Sequence, residues 1–236
     1  MPEEAIRHHL ELIQERIARA CQRCGRAARE VTLVGVSKGQ PVELLQAGWN
    51  AGLRVFGENK VQEAVAKSEQ LPAGIDWHLI GPLQSNKVKP AVALFSTIHS
   101  VDRLKIALAL NAEAARQGRR LPCFLEVNLG NEESKHGFAA DDLAAEVRPL
   151  AELEHLEVLG LMAIPPWTQV AESSRPWFAR LRRLRDELAL QPAWQRWPGL
   201  LSMGMSGDFE VAIEEGATHV RVGTSLFGPR KKPVAA

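Results

Sequence analysis

The first 28 residues place Ile6, Leu10, Ile13 and Ile17 at spacings of four, three and four, and Cys21 and Cys24 continue the stripe. That period predicts an amphipathic helix. Beyond it the rhythm changes, and short apolar runs alternate with helical segments. Strands are expected at Thr32–Val36, Arg54–Phe56, Trp77–Ile80, Thr97–His99, Cys123–Val127, Val158–Met162, Leu200–Met203 and His219–Val222. Helices are expected near 41–50, 59–69, 85–94, 102–117, 140–152, 172–190 and 208–215. The segment 172–190 is the clearest, with Trp177, Leu181, Leu184 and Leu188 on one face.

Strand and helix in alternation argue for a parallel sheet. About eight such units in a chain near 250 residues argue for closure into a (β/α)8 barrel of the TIM type. The fold class expected is therefore α/β, a single (β/α)8 barrel over residues 1–236. The additional N-terminal helix (1–28) covers its bottom or packs on its side, and 229–236 form a flexible tail. The competitor is a doubly wound open sheet, which carries a Gly-rich turn after its first strand. Here the first strand runs into Ser37-Lys38-Gly39-Gln40-Pro41, which lacks that pattern.

Composition narrows the function classes. Lys and Arg number 29 against 28 Asp and Glu, a net charge of +1 in 236 residues, so no global field draws the chain to nucleic acid or an anionic membrane. The basic cluster from Arg180 to Arg185 alternates with leucines and reads as the solvated face of a helix. No apolar run approaches the roughly 18 residues of a membrane span, and the charged N-terminus has no signal-peptide core. Three cysteines make a poor disulfide framework. Cys21 and Cys24 have CxxC spacing but no second pair of metal ligands. A cytoplasmic protein without a metal is the expectation.

In a barrel, function collects at the C-terminal ends of the strands. Those ends carry Ser37-Lys38, Gly57-Glu58-Asn59, His78 with Gly81, His99-Ser100, Asn128, Met162, Ser206-Gly207-Asp208, and Arg221 with Gly223-Thr224. Asn59 and Asp102 also read as helix N-caps, and His78 as a satisfied core histidine. Lys38 has two readings. As structure, it is a strand-end lysine whose head reaches solvent along its stem. As chemistry, a partly desolvated amine forms Schiff bases with carbonyls. The glycines and hydroxyls of 202–207 and 221–225 either make tight turns or present N–H and O–H groups to an anion after strands seven and eight, the phosphate position of this fold. An amine on strand one with a phosphate cradle after strands seven and eight suits a phosphorylated aldehyde, and pyridoxal 5′-phosphate (PLP) fits both ends. Arg221, if it meets the pyridine nitrogen, is no acid at working pH. It would leave that nitrogen unprotonated and the ring a weak electron sink.

Several ordered motifs then carry a resemblance. They are Leu33-Val34-Gly35-Val36-Ser37-Lys38, Phe56-Gly57-Glu58-Asn59 with Gln62-Glu63, the run WHLIGPLQSNK from Trp77 to Lys87, and Gly160-Leu161-Met162. LSMGMSGD from Leu201 to Asp208, and VRVGT from Val220 to Thr224 with Phe227-Gly228, complete the set. The chain resembles the pyridoxal phosphate homeostasis proteins from about residue 5 to Gly228. These share the barrel domain of alanine racemase and lack its second, β-rich domain. The resemblance implies that Lys38 carries PLP as a covalent aldimine, that Ser206, Gly223 and Thr224 hold the phosphate, that Arg221 faces the ring nitrogen and that Asn59 lies beside the ring. It implies support of vitamin B6 and amino-acid balance with no established catalytic reaction. One departure is Lys60, where the family often has tyrosine.

Three functions remain to be separated. The first is a PLP-binding homeostasis protein, monomeric, that holds the cofactor without catalytic turnover and releases it to PLP-dependent apo-enzymes. The second is a PLP-dependent racemase or related carbanion enzyme. Alanine racemase uses a lysine and a tyrosine on opposite faces of the cofactor, and this chain has no tyrosine; His78 and His136 are the replacement candidates. The third is a Schiff-base aldolase acting on a sugar phosphate. Lys135, Lys231 and Lys232 are either solvated surface or transient captors of aldehyde.

Overall fold

Short strands whose residues are mostly buried alternate with helices and close into a barrel. In a computed structural model that describes residues 2–130, 136–194 and 197–229, nine strands and nine α-helices are seen among those residues. The strands are β1 (Thr32–Val36), β2 (Val55–Glu58), β3 (Asp76–Leu79), β4 (Thr97–Val101), β5 (Leu121–Asn128), β6 (Phe138–Ala139), β7 (Leu156–Met162), β8 (Leu200–Met205) and β9 (His219–Val222). The helices are α1 (Pro2–Arg23), α2 (Val42–Asn50), α3 (Val61–Ser68), α4 (Val88–Leu94), α5 (Leu104–Arg116), α6 (Leu143–Ala151), α7 (Arg175–Ala189), α8 (Phe209–Glu214) and α9 (Thr224–Phe227).

Eight parallel strands run in the order β1-β2-β3-β4-β5-β7-β8-β9, and β9 returns to β1. The first pair sets Thr32 beside His219 and Val34 beside Arg221, and β4 meets β5 with Ile98 beside Cys123. The (β/α)8 expectation therefore holds, with one addition. Two residues, Phe138 and Ala139, pair with Val127 and Asn128 as β6 on the outside of the ring order. So short a strand leaves no periodic signal.

Helix α1 packs on the side of the barrel against α2, α8 and α9. Its buried stripe is Ile6, Leu10, Ile13, Ile17 and Cys21, each apolar side chain worth about 2 kcal/mol on burial. Arg16 pairs with Glu210 at 2.8 Å and Arg23 with Glu214 at 2.6 Å, which fixes the helix over α8. The helix ends at Arg23, earlier than 28, and Gly25 follows in the left-handed region (φ 71°), which favours glycine and terminates helices. In α7 the fully buried aromatic is Phe178, and its neighbour Trp177 is only partly covered. Nor is the Arg180–Arg185 cluster simply solvated. Arg182 pairs with Glu215 at 3.0 Å, Arg185 donates to the Gly199 carbonyl at 2.9 Å, and Arg180 donates to that of Leu129. These arginines tie α7 to loops at both ends of the barrel.

Candidate functional site

The C-terminal ends of the strands surround a cleft of about 460 Å3. Lys38 enters it just past β1, Asn59 past β2, Ser206 past β8, Arg221 from β9, and Gly223 with Thr224 at the start of α9. All six residues singled out in the sequence thus line one cleft. Val36 and Ile80 give it apolar walls. The segment from Ile164 to Gln169 after β7 forms a further wall that no motif announced, and it carries Trp167, 80% exposed, at the rim.

At one end the groups suit an oxyanion. The Gly223 N–H donates to Ser206 Oγ at 3.2 Å, so these two elements converge, and Thr224 adds a second hydroxyl. Asp208 shapes the turn between them, accepting from the Met205 N–H at 2.7 Å and from Ser174 Oγ at 2.9 Å. A Cβ at Gly207 would meet nothing within 4 Å, so the cradle is open there.

Arg221 is 4% exposed. Its guanidinium donates to Ser202 Oγ at 2.7 Å and to the Ala163 carbonyl at 3.0 Å. Burial lowers its pKa to about 10, against the opposing pull of Glu126 and Asp208. It stays a cation and a pure donor at neutral pH, with donors to spare for a ligand in the cleft.

Behind Lys38 lies a second lysine. Lys67 of α3 is buried and donates to Glu58 Oε1 at 2.7 Å, to Glu63 Oε1 at 2.6 Å and to the Ser37 carbonyl at 2.8 Å. Glu63 Oε1 also accepts the Gly39 N–H at 2.6 Å. The peptides on both sides of Lys38 are therefore pinned to one buried ion cluster. Burial pushes the Glu58 carboxyl up, against the hydrogen bonds from Lys67 and Ser37. Burial acts on Glu63 in the same sense but is outweighed by Lys67 and the Gly39 N–H, which hold it low.

The fold and much of the sequence recur in known proteins. The family described as alanine racemase, N-terminal domain, matches residues 4–231. The pyridoxal phosphate homeostasis protein of Aquifex aeolicus is 46% identical over 223 residues, covering 94% of this chain and 97% of its own. The chain belongs to the pyridoxal phosphate homeostasis protein family. A crystal structure of a protein of unknown function from Bifidobacterium adolescentis is 35% identical and superposes with a TM-score of 0.87 over 96% of both chains. PipY of Synechococcus elongatus, solved with PLP bound, is 40% identical, with a TM-score of 0.80 over 92% of this chain and all of that one.

Other residues considered for this homeostasis-family chain lie elsewhere. His78 and His136, the candidate replacements for a racemase tyrosine, do not line the cleft. His78 is buried and bonded to His99 at 2.9 Å. His136 faces a neighbouring cavity of about 760 Å3 with Lys60 and Lys87, 3.4 Å from Asp102. Asn59 and Asp102 are not N-caps. Each sits one residue before the cap, which is Lys60 for α3 and Arg103 for α5. Cys21 is buried and Cys24 bonds to the carbonyls of Ala20 and Cys21, and no group of three metal-ligating side chains occurs among the described residues. No helix there is long and apolar enough to cross a membrane. Lys135, Lys231 and Lys232 lie outside the described residues.

Proposed function

We propose that this chain binds pyridoxal 5′-phosphate in the cleft, carries it covalently on Lys38 as a Schiff base, and serves the cell's PLP, vitamin B6 and amino-acid balance by holding the cofactor rather than by catalytic turnover. The observation that supports this most is the convergence of six residues on one cleft, among them an amine, two hydroxyls, a backbone N–H and a buried guanidinium. That donor set fits an aldehyde, a phosphate and a pyridine nitrogen. PLP is also the ligand bound in the structure of PipY, which is 40% identical to this chain.

The residues divide the work by chemistry. The Ser206 and Thr224 hydroxyls take the phosphate oxygens, joined by the Gly223 N–H as it turns from Ser206 Oγ to the ligand, and Asn59 lies beside the ring. Lys38, half-buried at the cleft wall, supplies the amine. Bound PLP supplies an electron sink whose strength depends on a proton at its ring nitrogen. Arg221 donates a hydrogen bond there but gives up no proton, so the sink stays weak. Besides Lys38, the ionisable side chains lining the cleft among the described residues are Asp208 and Arg221. Asp208 is occupied by two donors. Without a second base on the opposite face, two-base racemisation has no partner for Lys38. The rim around Trp167 and the open mouth suit exchange with incoming amines, and hence delivery of PLP to apo-enzymes by a cytoplasmic monomer.

A visible absorption spectrum of the protein with PLP, beside Lys38→Ala, tests the binding. A band present in the first and lost in the second is expected; equal spectra would overturn it. Incubation with amino acids in deuterium oxide tests the absence of turnover. Catalytic appearance of deuterium at Cα would restore the racemase class.

A further inference from the structure

Beneath the cleft the barrel interior departs from the branched aliphatic filling usual for this fold. A polar column crosses it from one end towards the other. Arg221 Nη1 lies 2.7 Å from Ser202 Oγ, which lies 2.8 Å from His99 Nδ1. His99 Nε2 lies 2.9 Å from His78 Nδ1, and His78 Nε2 lies 3.5 Å from Asp76 Oδ2. The five residues come from β9, β8, β4, β4's neighbour β3, and the first position of β3. Ser202 and His99 are fully buried, His78 and Arg221 nearly so, and only the side chain of Asp76, 44% exposed, reaches water.

A pure donor at one end and a pure acceptor at the other fix the direction of every bond between them once each histidine carries a single proton. A guanidinium only donates and a carboxylate only accepts. Asp76 is held below the usual carboxylate range, first by the hydrogen bond from His78 and also by Ser96. Burial, with His78, His219 and Arg221 nearby, keeps His99 neutral. His78 must carry a proton on Nε2 to meet Asp76; taken as its only proton, this leaves Nδ1 a bare acceptor. Its Nδ1 then accepts from His99 Nε2–H, and His99 Nδ1 accepts from the Ser202 hydroxyl. Ser202 in turn accepts from Arg221. Each bond points the same way, from the cleft to the far side of the barrel.

We infer that Ser202, His99, His78 and Asp76 form a one-directional hydrogen-bonded chain that positions Arg221 from beneath, with Ser202 and His99 as positioning residues for the cofactor site. The alternatives open to the guanidinium are the carboxylates of Glu126 and Asp208, both close enough to act on it. A Ser202 oxygen committed to accepting from it holds the side chain where it lines the cleft. His99, stacked on Phe124 at 4.5 Å, keeps that oxygen turned the right way by taking its proton. The positioning role rests on the reading that Arg221 faces bound PLP; the direction of the chain does not.

Two measurements separate these. Nitrogen-15 NMR of the full chain without added PLP reads the tautomers directly. Both His78 and His99 are expected to be neutral and protonated at Nε2. A proton at Nδ1 of either ring would overturn the chain. The second measurement is the rate of PLP loss from wild type, Ser202→Ala and Ser202→Thr. Removing a hydrogen bond to a charged group is expected to speed loss about ten-fold or more, with a shifted visible band, and threonine restores the hydroxyl and the rate. An Ala variant with a lowered melting temperature but unchanged band and loss rate would reduce Ser202 to a structural residue and overturn the positioning role. Failure of wild type to take up PLP would sink the functional reading and leave the tautomer result standing.

Discussion

Lys67 Nζ donates to the carbonyl of Ser37 at 2.8 Å, and so grips the residue immediately before Lys38. The same ammonium holds Glu58 and Glu63, and Glu63 reaches round to the Gly39 N–H on the other side. Glu58 Oε2 is buried with no partner among the described residues, so the cluster has little slack. Lys67→Met leaves Glu58 as a buried, uncompensated carboxylate, which costs about 3–5 kcal/mol. Lys67→Met with Glu58→Gln removes both charges and is expected to recover a large part of that loss. Urea unfolding of the two variants checks this; equal losses in both would show that the ion pair is not the source.

Glu126 is expected to make stability depend on pH. Burial first, and Asp102 second, raise its pKa from 4.5 to about 7, against Arg221 and His136. A carboxyl raised on folding binds its proton more tightly in the native state. Its contribution is therefore intact below pH 4.5 and falls as pH rises to about 7, by up to about 3 kcal/mol. Glu126→Gln removes the penalty, so the variant is expected to melt higher than wild type at pH 8 and to gain nothing at pH 4.5. A gain of equal size at both values would contradict the assignment.

Glycine positions separate packing from site geometry. A Cβ at Gly160 would lie 1.8 Å from the Leu200 carbonyl oxygen, a backbone atom of the neighbouring strand. Gly160→Ala is expected to prevent β7 and β8 from pairing and to abolish soluble protein. At Gly81 the added atom meets the backbone of Asn59, at 2.6 Å from its oxygen. Gly81→Ala therefore displaces a cleft residue, with weaker PLP binding the expected result. Gly207→Ala meets open space, and near-normal stability is expected by thermal melting.

Much of this was legible in the chain. The bounds of β1 and β9 are those read from the apolar runs Thr32–Val36 and His219–Val222. β5 runs longer than the expected Cys123–Val127, from Leu121 to Asn128, because Pro122 and Asn128 interrupt the apolar pattern at its two ends without interrupting the strand. All six cleft residues were visible because a barrel brings the C-terminal ends of its strands together, whatever their separation in sequence. The clamp under Lys38 was not. Glu63 and Lys67 stand four apart on α3, a spacing that ordinarily means a surface pair; only the packing of α3 against β2 and the Ser37–Gly39 segment buries Lys67. The column from Arg221 to Asp76 joins four strands, and no local pattern encodes such a contact. The wall after β7 was missed because Pro165, Pro166 and Trp167 form neither a helical nor a strand period.

Lys38 is the residue proposed to carry PLP. Borohydride reduction of the PLP-loaded protein, followed by peptide mapping, tests this most directly. A phosphopyridoxyl adduct on the peptide containing Lys38, absent from Lys38→Ala, is the result predicted. An adduct confined to Lys135, Lys231 or Lys232, or an equal yield from the alanine variant, would contradict it.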